Sequence, residues 1–294
     1  MVGRIPLKTS LVIGVIALVI GTLEAVPPAF AGGTVTGTVV YTGKGEEQKW
    51  PIFRSARGWS LCAKIGTDGH KPHLITGYYR IIRTIEVGKG GALKAAVVAV
   101  TDIEDSVWMN DYKGTEVTVR FCEFEPYTGV VVNQRNVRVT NTEADPDNPK
   151  LIKGVPHSPH AYEATAIGPY SSRSHKFEDG STYISDYTQM KNLETIFNMA
   201  LPEKGSTIDR QVILRKQGTF FVLLCESHPW EFSYFLPVAS PYYAVTDADG
   251  KFTIMNVPAG KHKLLVWHPF AGQIEADVEV RDGTTVTANF QIKK

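Results

Sequence analysis

FFVLLCESHPWE, residues 220–231, is an apolar run that ends in Cys225 and continues into a short loop that contains His228 and a proline. An apolar run of this length, bounded by turn-forming residues, predicts a β-strand of the core. The strand fixes the Cys225 sulfur, and the short loop brings the His228 imidazole back to the same place. This segment therefore predicts a β-sheet core with a thiol and an imidazole at the end of one strand.

The rest of the sequence also has the pattern of strands. Apolar and polar residues alternate in many segments, and Gly, Pro, Asn and Asp separate these segments. Candidate strands cover residues 34–41, 93–101, 115–121, 135–140, 211–215, 219–225, 251–255, 261–267, 273–280 and 284–292. The pattern predicts an all-β fold, either a sandwich or a barrel. Residues 190–199 are a candidate short helix, and residues 141–159 and 162–187 are predicted to be long loops.

The N-terminus has the pattern of a secretory signal. Arg4 and Lys8 precede an apolar run at residues 11–23, and PPAFA at residues 27–31 ends in an A-x-A cleavage site. We therefore predict that residues 1–31 are a signal peptide. An uncleaved N-terminal membrane anchor is the alternative, although a spanning helix needs about 20 apolar residues.

The charge balance argues against a nucleic-acid partner. The chain has 31 basic and 30 acidic residues, and removal of residues 1–31 takes away two basic residues and one acidic residue. The mature chain is then close to neutral, without the basic stripe that neutralises phosphates. We expect no nucleic-acid partner, and export predicts a periplasmic or extracellular location.

The chemistry of Cys225 and His228 predicts a copper site. A copper ion that changes between its two oxidation states is suited by one soft thiolate and two imidazoles. The second imidazole must come from elsewhere, and VPHSPHA at residues 155–161 offers His157 and His160. The predicted cofactor is one mononuclear copper ion.

These motifs resemble known copper proteins. P-H-x-x-H followed by C-x-x-H-P-W is similar to the small blue-copper proteins, amicyanin and plastocyanin among them. A larger resemblance is to bacterial exported proteins that join a cupredoxin-like domain to a carboxypeptidase regulatory-like (transthyretin-like) domain. That resemblance includes IFNMALP at residues 196–202 and PYYAVTDADGKF at residues 241–252. It implies His157, Cys225 and His228 as ligands, with His160 as the alternative to His157 or as a residue that orients it.

The same resemblance implies two β-sandwiches, a cupredoxin-like Greek-key sandwich and a small transthyretin-like one. The transthyretin-like sandwich normally begins with a Gly-x-Val-x-Gly-x-Val strand, which is found here at residues 33–39. We therefore predict a discontinuous domain of residues 32–108 with 241–294. The cupredoxin-like domain would be residues 109–240, with an insertion at residues 162–195. Two tandem domains are the alternative.

Glu231 departs from the family pattern. The family commonly has Met, the soft axial ligand, directly after C-x-x-H-P-W. A carboxylate oxygen binds copper(II) more strongly, so it should lower the reduction potential. With Glu231 bound, the site would resemble the red copper centre of nitrosocyanin-like proteins, with two histidines, Cys and Glu. The alternative is that Glu231 faces solvent.

The three cysteines are an odd number in a chain that we expect to enter an oxidising compartment. If Cys225 binds copper, Cys62 and Cys122 remain to form a disulfide. Two buried free thiols are the alternative.

One copper ion without a visible substrate-binding motif indicates electron transfer, with a redox protein or a membrane-associated respiratory complex as partner. Electrons would leave through an exposed edge of His228, flanked by Pro229, Trp230 and Phe232. A metal-free structural or accessory subunit of an extracytoplasmic complex is the alternative. We do not expect an enzyme, because the sequence contains no H-x-H pair and no G-x-S-x-G elbow. A catalytic copper site with an open coordination position is the alternative.

Overall fold

The computed structural model describes residues 32–51, 62, 79–143, 154–167, 174–176, 182–184, 190–191, 194–228 and 230–293. Regular structure in these residues is nearly all β, as the sequence predicts. The predicted signal peptide lies outside the described residues. No helix within them has the length and apolar character needed to cross a membrane.

The strands in chain order are β1 (Gly33–Tyr41), β2 (Glu46–Pro51), β3 (Tyr79–Ile85), β4 (Val97–Val100), β5 (Thr115–Arg120), β6 (Glu123–Glu125), β7 (Thr128–Val131), β8 (Asn136–Asn141), β9 (Pro159–Ala164), β10 (Ala166–Ile167), β11 (Ser174–Lys176), β12 (Thr182–Ile184), β13 (Met190–Lys191), β14 (Glu194–Asn198), β15 (Thr207–Gln211), β16 (Phe220–Cys225), β17 (Phe232–Pro237), β18 (Tyr243–Val245), β19 (Lys251–Val257), β20 (Gly260–His268), β21 (Gly272–Val280), β22 (Thr285–Thr287) and β23 (Phe290–Ile292). A 3-10 turn covers Lys89–Gly91, and a short helix α1 covers Ser106–Asp111.

The strand that ends in Cys225 is the centre of a five-stranded sheet with the order β14-β9-β16-β17-β7. It pairs antiparallel with β9 and with β17. A four-stranded sheet, β15-β8-β5-β6, packs against one face of it. Phe221, Leu223 and Cys225 point into the core between these sheets, where they meet Val117 and Val139.

A second pair of sheets joins the two ends of the described chain. β1 pairs antiparallel with β19 and parallel with β22 and β23, while β18-β4-β20-β21 forms the other sheet. Gly37 of β1 lies so close to the Ala288 carbonyl oxygen that a Cβ there would be 1.8 Å from it. A larger residue at position 37 would therefore force the strands apart.

The opposite face of β16 is also buried. Phe220, Val222 and Leu224 belong to a cluster with Val97 of β4 and Trp267 of β20. Burial on both faces explains why β16 is continuously apolar instead of alternating. The described residues form one compact unit, and the predicted domain boundaries stay a prediction.

The predicted helix at residues 190–199 is wrong. β13 and β14 occupy this range, and β14 pairs with β9. Thr195 and Ile196 are β-branched, which favours a strand, and Phe197 enters the core near Phe221 at a ring distance of 6.4 Å. The ends of the predicted insertion, Tyr162–Ala164 and Glu194, therefore lie in the five-stranded sheet.

Three predicted strands differ from those in the structure, and the one expected at 284–292 is divided into β22 and β23. The strand expected at 211–215 is found at Thr207–Gln211, and the backbone N–H groups of Leu214 and Arg215 bond to side chains instead of to a strand. Leu214 N–H donates to Asn133 Oδ1, and Arg215 N–H donates to Glu163. The strand expected at 93–101 is confined to Val97–Val100, because Ala95 has a positive φ of 63°.

Candidate metal centre

The loop between β16 and β17 folds back on its own backbone. Cys225 N–H donates to the Glu231 carbonyl at 3.2 Å, and His228 N–H donates to the Cys225 carbonyl at 3.3 Å. Glu231 N–H donates to the His228 carbonyl at 3.0 Å. These turns bring the side chains of His228 and Glu231 back to the Cys225 sulfur.

His157 is positioned from the neighbouring chain segment. Its N–H and C=O exchange hydrogen bonds of 3.0 and 2.8 Å with Leu201, which fixes the backbone just before β9. Ser158 N–H points at Cys225 Sγ at 3.5 Å, and Glu226 N–H donates to the Ser158 carbonyl at 3.0 Å. Two separate backbone connections therefore hold His157 against the end of β16.

The structure brings His157, Cys225, His228 and Glu231 to one point, where one ligand atom from each lies within 4.8 Å of the others. The two Nδ1 atoms are 3.1 Å apart. Cys225 Sγ lies 3.9 Å from His157 Nδ1 and 3.6 Å from His228 Nδ1. The Glu231 carboxylate spans both imidazoles, with Oε2 at 3.0 Å from His157 Nδ1 and Oε1 at 3.0 Å from His228 Nδ1.

These residues fit a small metal ion. Atoms bound to one ion at about 2.0–2.3 Å lie roughly 3–4 Å apart, which is the spacing of these donors. All four side chains are buried, none more than 1% exposed, and a buried carboxylate and imidazoles require pairing or a metal. Thiol and imidazole donors suit copper. The alternative in which Glu231 faces solvent is wrong.

Electrostatics couples the four groups. Burial alone raises the pKa of Glu231, but His157 and His228 outweigh burial and hold this pKa well below its usual range. Burial, and after it the Glu231 carboxylate, raise the pKa of the Cys225 thiol. A cation among these groups favours the thiolate, so metal binding here would release a proton.

His160 does not join the cluster. Its Nδ1 lies 2.5 Å from Glu226 Oε1, its Nε2 lies 3.0 Å from Thr195 Oγ1, and its ring stacks on Tyr162 at 3.9 Å. Both ring nitrogens therefore have partners away from Cys225. The prediction of His160 as an alternative ligand is therefore wrong. Its ring nitrogens contact Glu226 and Thr195, not the His157 ring.

The exposed edge expected for His228 is also wrong, because this ring is completely buried. Trp230 packs beside it, with 5.3 Å between ring centroids. Trp230 and Phe232 in turn line a cavity of about 430 Å³ that extends to His268. The indole of Trp230 thus stands between His228 and this cavity.

Cys62 and Cys122 form a disulfide, which spans 60 residues of sequence. Cys122 lies in a turn after β5, where it and Phe121 both have a φ of 54°.

The sequence analysis did not predict Glu143, a fully buried carboxylate whose Oε1 lies 3.8 Å from His157 Nε2. An acid just after a strand normally faces solvent, so the sequence carries no signal for it.

Comparisons with known proteins give partial likenesses. A family model described as polysaccharide lyase family 4, domain II, matches residues 231–288. The chain is similar to a novel purple cupredoxin from Nitrosopumilus maritimus, with 11% identity, a TM-score of 0.24, and coverage of 42% of this chain and 98% of that chain. It is similar to a variant of the major pilin subunit of Bacillus cereus, with 8% identity, a TM-score of 0.14, and coverage of 89% and 99%. No curated protein matches the sequence.

The family match covers less than half of the chain, and TM-scores this low carry no argument about function. The implied carboxypeptidase regulatory-like domain stays a prediction.

Proposed function

We propose that this is an exported mononuclear copper protein that passes single electrons to or from a redox partner outside the cytoplasm. The observation that carries the proposal is the convergence of one thiol, two imidazoles and one carboxylate at a single buried point. His157, Cys225, His228 and Glu231 would hold the ion. Copper supplies one-electron redox chemistry when bound there.

The chain's own contribution is rigidity and the exclusion of water. Cys225 ends the central strand, and His157 is fixed by its bridge to Leu201, so both donors sit on the sheet framework. A framework that moves little between two oxidation states suits electron transfer. Four protein donors also leave little room for a substrate, which is why we propose an electron carrier and not an enzyme.

The electron path that we propose runs through Trp230, since the His228 ring has no exposed edge. The partner would be a redox protein or a membrane-associated respiratory complex. The disulfide is in keeping with an oxidising compartment, and the periplasm or cell exterior is the proposed location.

Copper loading tests the proposal. We expect about one copper per chain, with an intense sulfur-to-copper absorption and a copper(II) electron-spin-resonance signal. Cys225→Ser should lose the absorption, because the thiolate is its source. Ser158→Ala is the matched control, since the backbone N–H and not the side chain of Ser158 faces the sulfur. An absorption that persists in Cys225→Ser contradicts the ligand assignment.

A metal-free structural or accessory subunit is the second candidate. It is favoured by the contacts that the four polar groups already make with each other, above all those between Glu231 and both imidazoles. Elemental analysis separates the two functions. A copper content near zero after loading would favour the structural role.

A further inference from the structure

The peptide of Cys122 contacts the surroundings of both histidines. Its N–H donates to Glu143 Oε1, and the same oxygen lies 3.8 Å from His157 Nε2. Its carbonyl accepts a 3.0 Å hydrogen bond from Trp230 Nε1, and the Trp230 ring packs on His228. The turn that contains Cys122, which the disulfide links to Cys62, therefore contacts Glu143 beside His157 and Trp230 beside His228.

The backbone of Glu143 is also held by contacts outside this turn. Its N–H donates to Asn141 Oδ1 at 3.0 Å, and Asn141 Nδ2 donates to the Val155 carbonyl at 2.7 Å. Val155 is two residues before His157, so the segment that carries Glu143 and the segment that carries His157 are joined. These contacts fix the Glu143 backbone beside the His157 segment, and the hydrogen bond that Oε1 accepts from Cys122 N–H fixes the carboxylate.

The Nε2 atom of His157 is fully buried and, among the described residues, makes no hydrogen bond. Its distance from Glu143 Oε1 is roughly 1 Å longer than a hydrogen bond. The other ring nitrogen, Nδ1, faces Cys225 and Glu231. A metal ion bound at Nδ1 would need the lone pair of that nitrogen, so the imidazole proton would reside on Nε2, the atom that faces Glu143.

We infer that Glu143 is a positioning residue for His157: it holds the imidazole proton on Nε2, keeps Nδ1 directed at the metal, and makes the imidazole a stronger donor. This inference rests on the proposed copper site. A carboxylate behind a metal-bound histidine fixes the tautomer and the ring orientation and raises ligand basicity. A stronger donor favours copper(II) over copper(I), so Glu143 lowers the reduction potential.

Glu143→Gln tests the inference. We expect copper(II) binding to weaken by about 10–100-fold and the reduction potential to rise, while the sulfur-to-copper absorption remains. Glu143→Asp keeps the charge and should recover part of the potential shift, which a purely structural role would not. Glu116→Gln is the control, because this exposed carboxylate pairs with Arg138 and not with His157. Wild-type affinity and potential in Glu143→Gln would overturn the inference.

A second readout does not require copper. Nitrogen NMR of the zinc-loaded protein should show the His157 proton on Nε2, with slow exchange with solvent in wild type and Glu143→Asp and faster exchange in Glu143→Gln. A proton on Nδ1 in zinc-loaded wild type, or equal exchange rates in wild type and Glu143→Gln, would overturn the inference. If wild type binds no copper, the proposed function fails, and the NMR result still decides the role of Glu143. If Glu143→Gln does not fold, the same two measurements are made on Glu143→Asp and compared with wild type.

Discussion

At the scale of single residues, Glu231 decides what kind of copper site this would be. Its two oxygens each lie 3.0 Å from one imidazole nitrogen, and it is buried with them. A Met at this position would offer a soft, weak donor, whereas a carboxylate adds a negative charge beside the ion. That charge stabilises copper(II) more than copper(I).

Replacement of Glu231 by Gln should weaken copper(II) binding and raise the reduction potential. We expect a loss of roughly tenfold or more in affinity, since each 1.4 kcal/mol of lost attraction corresponds to a factor of ten. Competition titration and electrochemistry measure both quantities. His160→Gln is the control and should change neither, because its ring nitrogens contact Glu226 and Thr195. Equal effects of the two substitutions would contradict the role of Glu231.

The sequence predicts some residues of this cluster better than others. Cys225 and His228 share one strand end and one short loop, so local spacing places them together. Glu231 follows in the same loop, but its orientation depends on a turn that closes only in three dimensions. Glu143 is 82 residues before Cys225, and only the pairing of distant strands brings it near, so no local pattern predicts it.

At the scale of elements, burial decides where sequence patterns succeed. β16 is apolar throughout because sheets cover both of its faces, and its bounds follow from the sequence. β14 was harder to predict, since short strands on a sheet edge resemble short helices in composition. Its hydrogen bonds with β9, which is distant in the sequence, make this segment a strand.

Gly37→Ala tests the packing of β1. An added Cβ meets the Ala288 carbonyl, so we expect the free energy of unfolding to fall by about 1–3 kcal/mol in denaturant titration. β1 pairs with β19, β22 and β23 and bridges to Ala92, and none of these belongs to the sheet that contains Cys225, so the copper absorption should remain. Lys251→Ala, at an exposed position of β19, is the control. Unchanged stability in Gly37→Ala would show that this strand contact is not tight.

At the scale of the whole molecule, residues of several sheets share buried clusters. Protonation of one buried group by acid should therefore lower the free energy of unfolding of the whole unit. His268 ends β20 and is buried, and its Nδ1 accepts hydrogen bonds from the N–H groups of Phe270 and Ala271. Burial lowers the pKa of His268 from 6.5 to about 3. The folded protein therefore keeps this ring neutral over a pH range in which the unfolded chain protonates it.

This difference predicts a loss of stability on acidification. The contribution of His268 is complete above pH 6.5 and decreases as the pH falls towards 3, by about 2 kcal/mol at pH 5. His268→Asn keeps an acceptor for the two N–H groups but cannot be protonated. Its free energy of unfolding should decline less between pH 7 and pH 5 than that of wild type. Parallel declines in the two proteins would contradict the assignment.

The central claim is that His157, Cys225, His228 and Glu231 hold one copper ion between them. X-ray absorption at the copper edge of the loaded protein tests it most directly, because it reports the donors around the ion. We predict one sulfur and two imidazoles bound directly to copper, with an oxygen that disappears in Glu231→Ala. A copper ion without bound sulfur, or a donor set that is the same in Cys225→Ser, would contradict the claim.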